Sequence, residues 1–205
     1  MSRLSLAVLL SGAGTTLQAL LDAISAGDLD AEIRVVLSNK PKAYGLERAR
    51  AAGIACEVLS HRGFAQREAY DVALVERLAR HEVDWVVLAG FMRLLSPRFL
   101  AAFPHRVINV HPALLPAFPG AHAVQDALDY GVKITGCTVH LVDEGTDTGP
   151  ILAQRAVTVL PDDDADRLHA RIREQERRLY PQVLQQIAAG RLCRQNGRFY
   201  LSEAD

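Results

Sequence analysis

The sequence predicts an α/β protein: a Rossmann-like, mostly parallel sheet with helices on both faces, and antiparallel strands added towards the C-terminal part. Three observations carry this. Apolar runs of strand length alternate with segments of helical spacing through the first half of the chain. Leu4–Leu10 and Trp85–Ala89 are continuous apolar runs, the pattern of parallel strands covered on both faces. Thr135–Val142 alternates as a strand should, and Ile151–Leu160 resembles a partner for it.

Leu4–Leu10 ends in Ser11-Gly-Ala-Gly-Thr-Thr16, after which Leu17, Leu20, Leu21 and Ile24 recur at helical spacing until Gly27. Strand, glycine turn and helix together present backbone N–H groups to a phosphate. No Gly-Lys-Ser/Thr follows, so the loop is not a P-loop. Leu17 stands where a dinucleotide fingerprint needs its third glycine. The second strand, Ile33–Leu37, runs into Ser38-Asn39-Lys40 without an acid for a ribose hydroxyl. The loop therefore suits a single phosphate monoester, or is a purely structural turn.

Tyr44–Ala52 reads as a helix closed by Gly53, Cys56–Leu59 as a short strand, and Phe64–His81 as a longer amphipathic helix. Trp85–Ala89 leads through Gly90–Leu95 to Ser96-Pro97, a helix start with serine at the N-cap and proline at N1. His122–Tyr130 reads as a helix stopped by Gly131, and Asp143–Pro150 as an acidic loop between the two last strands. Asp162, Asp163 and Asp164 put negative charge at the start of the final helix, where its dipole favours it. That helix takes its apolar stripe from Leu168, Ile172, Leu179, Val183 and Ile187; Pro181 is expected to bend it and Gly190 to end it. The tail is expected to hold at most a short strand, Arg198–Leu201. No repeat or linker interrupts the 205 residues, so a single domain, 1–205, is expected.

The chemistry gathers in Val107–Gly120. Val107–Val110 reads as the end of a buried strand, and three prolines and a glycine then exclude regular structure. Asn109 and His111 are two apart, so an extended backbone turns both to one face. An amide can donate to an oxyanion, and an imidazole moves protons near neutral pH. The plainer alternative is an asparagine that caps a turn beside a packed histidine.

Composition narrows the classes. Apolar residues make up 49% and the formal net charge is −1, which gives no general attraction for nucleic acid or an anionic membrane. No apolar run approaches the roughly 20 residues that span a bilayer. The start of the chain lacks a signal-peptide pattern. Cys56, Cys137 and Cys193 are odd in number and scattered, which fits a reducing cytoplasm rather than a disulfide framework.

Six motifs occur in order: Ser-Gly-x-Gly-Thr, Ser-Asn-Lys, Tyr-Gly-Leu-Glu-Arg-Ala, Leu-Ala-Gly-Phe-Met-Arg, Asn-Val-His-Pro-Ala-Leu-Leu-Pro and Asp-Thr-Gly-Pro-Ile. From Leu6 to about Gly190 the chain resembles the phosphoribosylglycinamide formyltransferases, folate-dependent enzymes of de novo purine synthesis. The resemblance implies formyl transfer from 10-formyltetrahydrofolate, as co-substrate, to a glycinamide amine, with no metal. It implies a phosphate-binding half at about 1–100 and a folate and catalytic half at about 101–190, followed by a short tail.

By the same resemblance Asn109, His111 and Asp147 form the catalytic set. Asp147 favours the imidazolium of His111 by charge proximity; its plainer reading is an Asx turn before Gly149. Gly14, Thr15 and Thr16 hold the substrate phosphate, and Glu176 meets the substrate amine or ribose. Folate lies along Met92, Arg93, Leu94 and Leu95, and along Asp143, Glu144, Gly145 and Thr146, with Arg67 near its carboxylate tail. His122 and His140 support the site from behind. From spacing alone, Glu176 sits on a solvated helix face and Arg67 is an ordinary exposed charge. Ala13 and Thr16 stand where relatives often carry asparagine, and Ala113 replaces a usual serine, with the expected loss of one loop hydrogen bond.

The partners implied are two small molecules. A homodimer is compatible with the sequence, which leaves oligomeric state open. His105, His111, His122 and His140 lack metal-ligand spacing. A methionyl-tRNA formyltransferase or a formyltetrahydrofolate hydrolase would normally add a domain, and the former a basic surface. A non-catalytic phosphometabolite-binding module would need the glycine loop but not the catalytic three. A nicotinamide dehydrogenase lacks its fingerprint.

Overall fold

Continuous apolar sequence becomes central strand. In the computed structural model, which describes residues 3–202, β1 (Leu4–Leu10) is fully buried from Leu6 to Leu10. Burying a leucine side chain contributes about 1.5–3 kcal/mol, so this strand anchors its surroundings. Contacts divide the chain into two compact units, Met1–Asn109 and Val110–Asp205.

The first unit alternates strand and helix: β1, α1 (Thr15–Ala26), β2 (Ala31–Ser38), α2 (Gly45–Ala51), β3 (Ala55–Val58), α3 (Arg67–Ala79), β4 (Trp85–Leu88), α4 (Pro97–Ala102) and β5 (Val107–His111), whose last two residues belong to the second unit. β1 pairs in parallel with β2 and with β4, with Leu6 opposite both Ile33 and Trp85. β2 pairs with β3, and β4 with β5, again in parallel. Such pairs need crossover connections, which the helices supply. Ser96 caps α4, its Oγ accepting the Phe99 N–H at 3.4 Å, with Pro97 at the first helical position. The long helix expected over Phe64–His81 is shorter, because His61–Gly63 form a 3₁₀ turn and α3 begins only at Arg67.

The second unit holds α5 (Ala123–Tyr130), β6 (Ile134–Leu141), β7 (Ile151–Thr158), α6 (Ala165–Ala188), β8 (Leu192–Gln195) and β9 (Arg198–Leu201). β6 and β7 pair antiparallel, with Thr138 opposite Gln154. Asp164 caps α6 by accepting the Arg167 N–H at 2.8 Å, and Asp163 pairs with Arg171. The helix continues through the buried Pro181. The tail differs from expectation: it is a two-stranded hairpin, with Asn196 and Gly197 at φ 51° and 77°. An Asn-Gly turn with both residues left-handed matches the twist of a hairpin, so the signal lay in the sequence at Asn196-Gly197. The strand order is β3-β2-β1-β4-β5-β6-β7, with β8 and β9 in a separate sheet.

Candidate active site

Three loops of the first unit leave the C-terminal ends of parallel strands, where ligands of such sheets gather. The chain leaves β1 through Ser11–Gly14, and Gly14 is the N-cap of α1 at φ 71°. A Cβ on Gly14 would lie 2.5 Å from the Cα of Gly45. Gly45 N–H also donates to Gly12 O at 3.0 Å, and Arg48 Nε donates to Ala13 O at 3.0 Å. The turn is therefore braced from α2. Gly14 brings no side chain to cap the helix, so the amides of Thr15 and Thr16 remain donors for an anion.

Ser11 ties this loop to the segment after β4. Its hydroxyl donates to Asn39 Oδ1 at 2.6 Å and accepts the Met92 N–H at 2.9 Å. Beyond it, Met92 and Leu94 are 72% and 55% exposed, whereas Leu95 is buried. Two exposed apolar side chains on one short segment offer a surface that a flat ring system can cover. The Arg93 guanidinium lies 4.8 Å above the Tyr70 ring, and burial pushes the Tyr70 hydroxyl up to about 12. Arg67 opens α3, with Glu68 3.6 Å away, and is partly exposed. Asn109 lies opposite Leu88 on β5 and is half-buried.

In the second unit His111 ends β5 and is buried. Its Nδ1 lies 3.3 Å from Asp147 Oδ2, and its Nε2 lies 2.8 Å from Phe118 O. A carbonyl only accepts, so Nε2 carries a proton there. Both ring nitrogens therefore face acceptors. Asp147 also accepts the Gly120 N–H at 2.8 Å, and His140 Nε2 stands 3.6 Å from its other oxygen. Burial works to raise the Asp147 carboxyl; the nearby His140 ring, the hydrogen bond from Gly120 and the charge of His111 outweigh it and hold it below the usual carboxylate range.

Asp147 and Phe118 both adopt left-handed backbone, at φ 55° and 54°. Such conformations cost an L-residue about 1–2 kcal/mol and cluster where function demands them. The plainer alternative for Asp147 is an Asx turn; the Asx-type bonds of this loop are made by Asp143, whose Oδ1 accepts from Gly145 N and Thr148 Oγ1 at 3.1 and 2.7 Å. Glu144, Gly145 and Thr146 are exposed on that loop. His122 is the exposed N-cap of α5, so of the two supporting histidines only His140 is placed at Asp147.

Glu176 is not on a solvated face. It is 8% exposed on α6, and burial pushes its carboxyl up to about 7, with Arg173 and Arg177 pulling the other way. Its charge adds to the burial that pushes the Cys137 thiol up to about 12. Ala113, the departure from the usual serine, is fully buried, and its carbonyl is held by Thr138 Oγ1 at 2.7 Å. Sequence reasoning missed Phe118, Gly120, Thr138 and Gln154. The first two act through main-chain groups, which no side-chain pattern reveals.

An open groove elsewhere in the first unit is lined by Arg3, Glu32, Arg34 and Glu82, among others. Arg34 already pairs there with Glu32 and Glu82, at 3.5 and 3.4 Å, so the charges offset one another. Among the described residues no cluster of His, Cys, Asp or Glu is arranged to hold a metal ion, and no helix is long and apolar enough to cross a membrane.

Fold and site together define an α/β protein in which a buried histidine at the end of a strand faces an aspartate from a separate loop. Residues 4–184 match the model of the formyl transferase family, and the chain belongs to that family. It is 56% identical to a phosphoribosylglycinamide formyltransferase of Mycobacterium tuberculosis, over 85% of this chain and 80% of that protein. It is 49% identical to the trifunctional purine biosynthetic protein adenosine-3 of Drosophila melanogaster over 92% of this chain, and spans 14% of the length of that protein. The crystal structure of glycinamide ribonucleotide transformylase 1 from Symbiobacterium toebii superposes with a TM-score of 0.96 at 46% identity, covering 98% of this chain and 95% of that one.

Proposed function

We propose that this chain transfers the formyl group of 10-formyltetrahydrofolate to the amine of 5-phosphoribosylglycinamide, a step of de novo purine (IMP) biosynthesis. The observation that carries the reading is the His111 ring held between Asp147 and the Phe118 carbonyl, at 3.3 and 2.8 Å. The similarity to the phosphoribosylglycinamide formyltransferase of Mycobacterium tuberculosis supports the choice of acceptor.

The substrate amine adds to the formyl carbon, and the carbonyl electrons move to oxygen. Asn109 donates its amide N–H to that oxyanion, the point at which fixed donors act most strongly. As the tetrahedral carbon collapses, the bond to the folate nitrogen breaks, and His111 supplies the proton this nitrogen needs to leave. The proton lost by the attacking amine restores the ring. Asp147 holds the imidazole in place and balances its charge.

Gly14, Thr15 and Thr16 anchor the phosphate through main-chain N–H groups, and Glu176 receives the amine or ribose. Met92 to Leu95, Asp143 to Thr146 and Arg67 take the folate. The reading places the protein in the cytoplasm, with no nucleic acid, membrane or metal partner; it is compatible with a homodimer, and analytical ultracentrifugation of the purified chain determines the oligomeric state.

The deciding experiment supplies formyl-labelled 10-formyltetrahydrofolate with phosphoribosylglycinamide, with methionyl-tRNA, or with water alone. Label on the glycinamide amine is the expected result. Label on methionyl-tRNA or free formate identifies one of the sister activities instead. Phosphoribosylglycinamide binding without any transfer identifies a non-catalytic module.

A further inference from the structure

The loop that follows His111 has no secondary structure, yet it must keep the Phe118 carbonyl within 2.8 Å of the ring. What fixes it is the face of β6 and β7. Thr138 Oγ1 donates to Ala113 O at 2.7 Å and accepts the Leu115 N–H at 3.0 Å. Gln154 lies directly opposite Thr138 in the strand register. Its Nε2 donates to Leu115 O at 2.9 Å and to Thr138 Oγ1 at 3.0 Å. One side-chain amide thus closes a ring of three hydrogen bonds, which satisfies both polar groups of Leu115 and leaves the Thr138 hydroxyl to donate outward to Ala113 O. Two residues further along β6, His140 faces Asp147 at 3.6 Å. The strand that holds the loop therefore also holds the carboxylate.

We infer that Gln154 is a positioning residue for the reaction: it clamps the Ala113–Phe118 loop so that the Phe118 carbonyl and Asp147 grip His111 from opposite sides. The inference rests on the proposed role of His111. Gln154 touches neither the ring nor a reacting atom. Its effect passes through the loop, where displacements near 1 Å change rates by up to about a hundredfold. Because Gln154 only donates in this ring, a lysine of similar reach can replace it, whereas a leucine, which has no donor, cannot.

The test compares His111→Ala, Gln154→Leu and Gln154→Lys as purified full chains, with kcat, both KM values, the pH–rate profile and the melting temperature measured for each. Gln154→Leu is expected to lower kcat about tenfold and to move the pH–rate profile, with both KM values within about twofold of wild type. Gln154→Lys is expected to restore kcat and the profile. If Gln154→Leu lowers only the melting temperature, or if Gln154→Lys is as impaired as Gln154→Leu, the inference is overturned. A His111→Ala variant that keeps full turnover removes the underlying reading instead, so the two failures are distinguishable. If Gln154→Leu does not fold, Gln154→Lys and Gln154→Glu decide: the inference requires the donor variant to be the faster of the two, and equal rates overturn it.

Discussion

Asp147 Oδ2 lies 3.3 Å from His111 Nδ1 while it also accepts the Gly120 N–H at 2.8 Å. One carboxylate oxygen thus binds the imidazole to the backbone at the end of the proline-rich loop. The ring cannot turn without breaking a second contact, the one to Phe118 O. Orientation and charge balance come from the same group.

Replacing His111 by alanine removes the proposed proton carrier and frees the Phe118 carbonyl, while Asp147 keeps its bond from the Gly120 N–H. Turnover is expected to fall by about 10²–10⁴, with the affinity for both substrates largely kept. Stopped turnover with retained binding, read by calorimetry, is the expected pair of results; equal loss of both would mean that the ring binds rather than reacts. Asn109→Ala is expected to cost about 10²–10³ in kcat with little change in either KM.

Asp147 gives the acid side of the stability profile a defined sign. Its folded-state carboxyl is held below the ordinary value, so the folded state favours the ionised form. The stabilisation is present above the unfolded value of about 3.9 and is lost as pH falls through the lower, folded value. Asp147→Asn is expected to cost about 1–3 kcal/mol at pH 7 through the bonds it weakens, and to flatten the loss of stability below pH 4. Urea midpoints from pH 2.5 to 7 measure both effects; parallel acid limbs in the two proteins would contradict the assignment.

Glu176 has the opposite sign. Burial raises its carboxyl from 4.5 to about 7, so the folded state holds the proton more tightly. That contribution is complete below the unfolded value and disappears as pH rises through about 7. The shift corresponds to about 3 kcal/mol between the two limits, at 1.36 kcal/mol for each pKa unit. Glu176→Gln is expected to remove this decline, so the variant gains on wild type between pH 5 and 8. Denaturation midpoints at those two pH values suffice, and a wild-type protein as stable at pH 8 as at pH 5 would rule it out.

Gly14→Ala places a side chain at φ 71°, with its Cβ 2.5 Å from Gly45 Cα. Strain and overlap are expected to lower stability by about 1–3 kcal/mol. They should also raise KM for the phosphorylated substrate more than KM for folate, because the displaced amides are those of Thr15 and Thr16. A melting temperature equal to that of wild type, together with unchanged KM values, would show that the turn is slack.

Periodicity and punctuation made most of the fold legible. Continuous apolar runs marked β1 and β4, Ser96-Pro97 marked the start of α4, and Gly27 and Gly131 marked two helix ends, both at φ 81°. These features are local, since backbone sterics and strand burial act within a few residues. The hairpin at β8 and β9 was legible too, in Asn196-Gly197, although the expectation stopped at a single strand.

The sequence by itself supplied the groups on which the proposed chemistry rests: Asn109 and His111 share a strand, and an aspartate lies on a distant loop. Only the tertiary structure decided how they are held. The Phe118 carbonyl and the Gly120 amide are invisible in a list of side chains, and Gln154 becomes a partner of Leu115 only once the β6–β7 register is set. Glu176 read as a solvated helix position, and packing buried it. The physical reason is the same in each case. Hydrogen-bond geometry and desolvation depend on which atoms approach within about 3 Å, and separation along the chain does not set that distance.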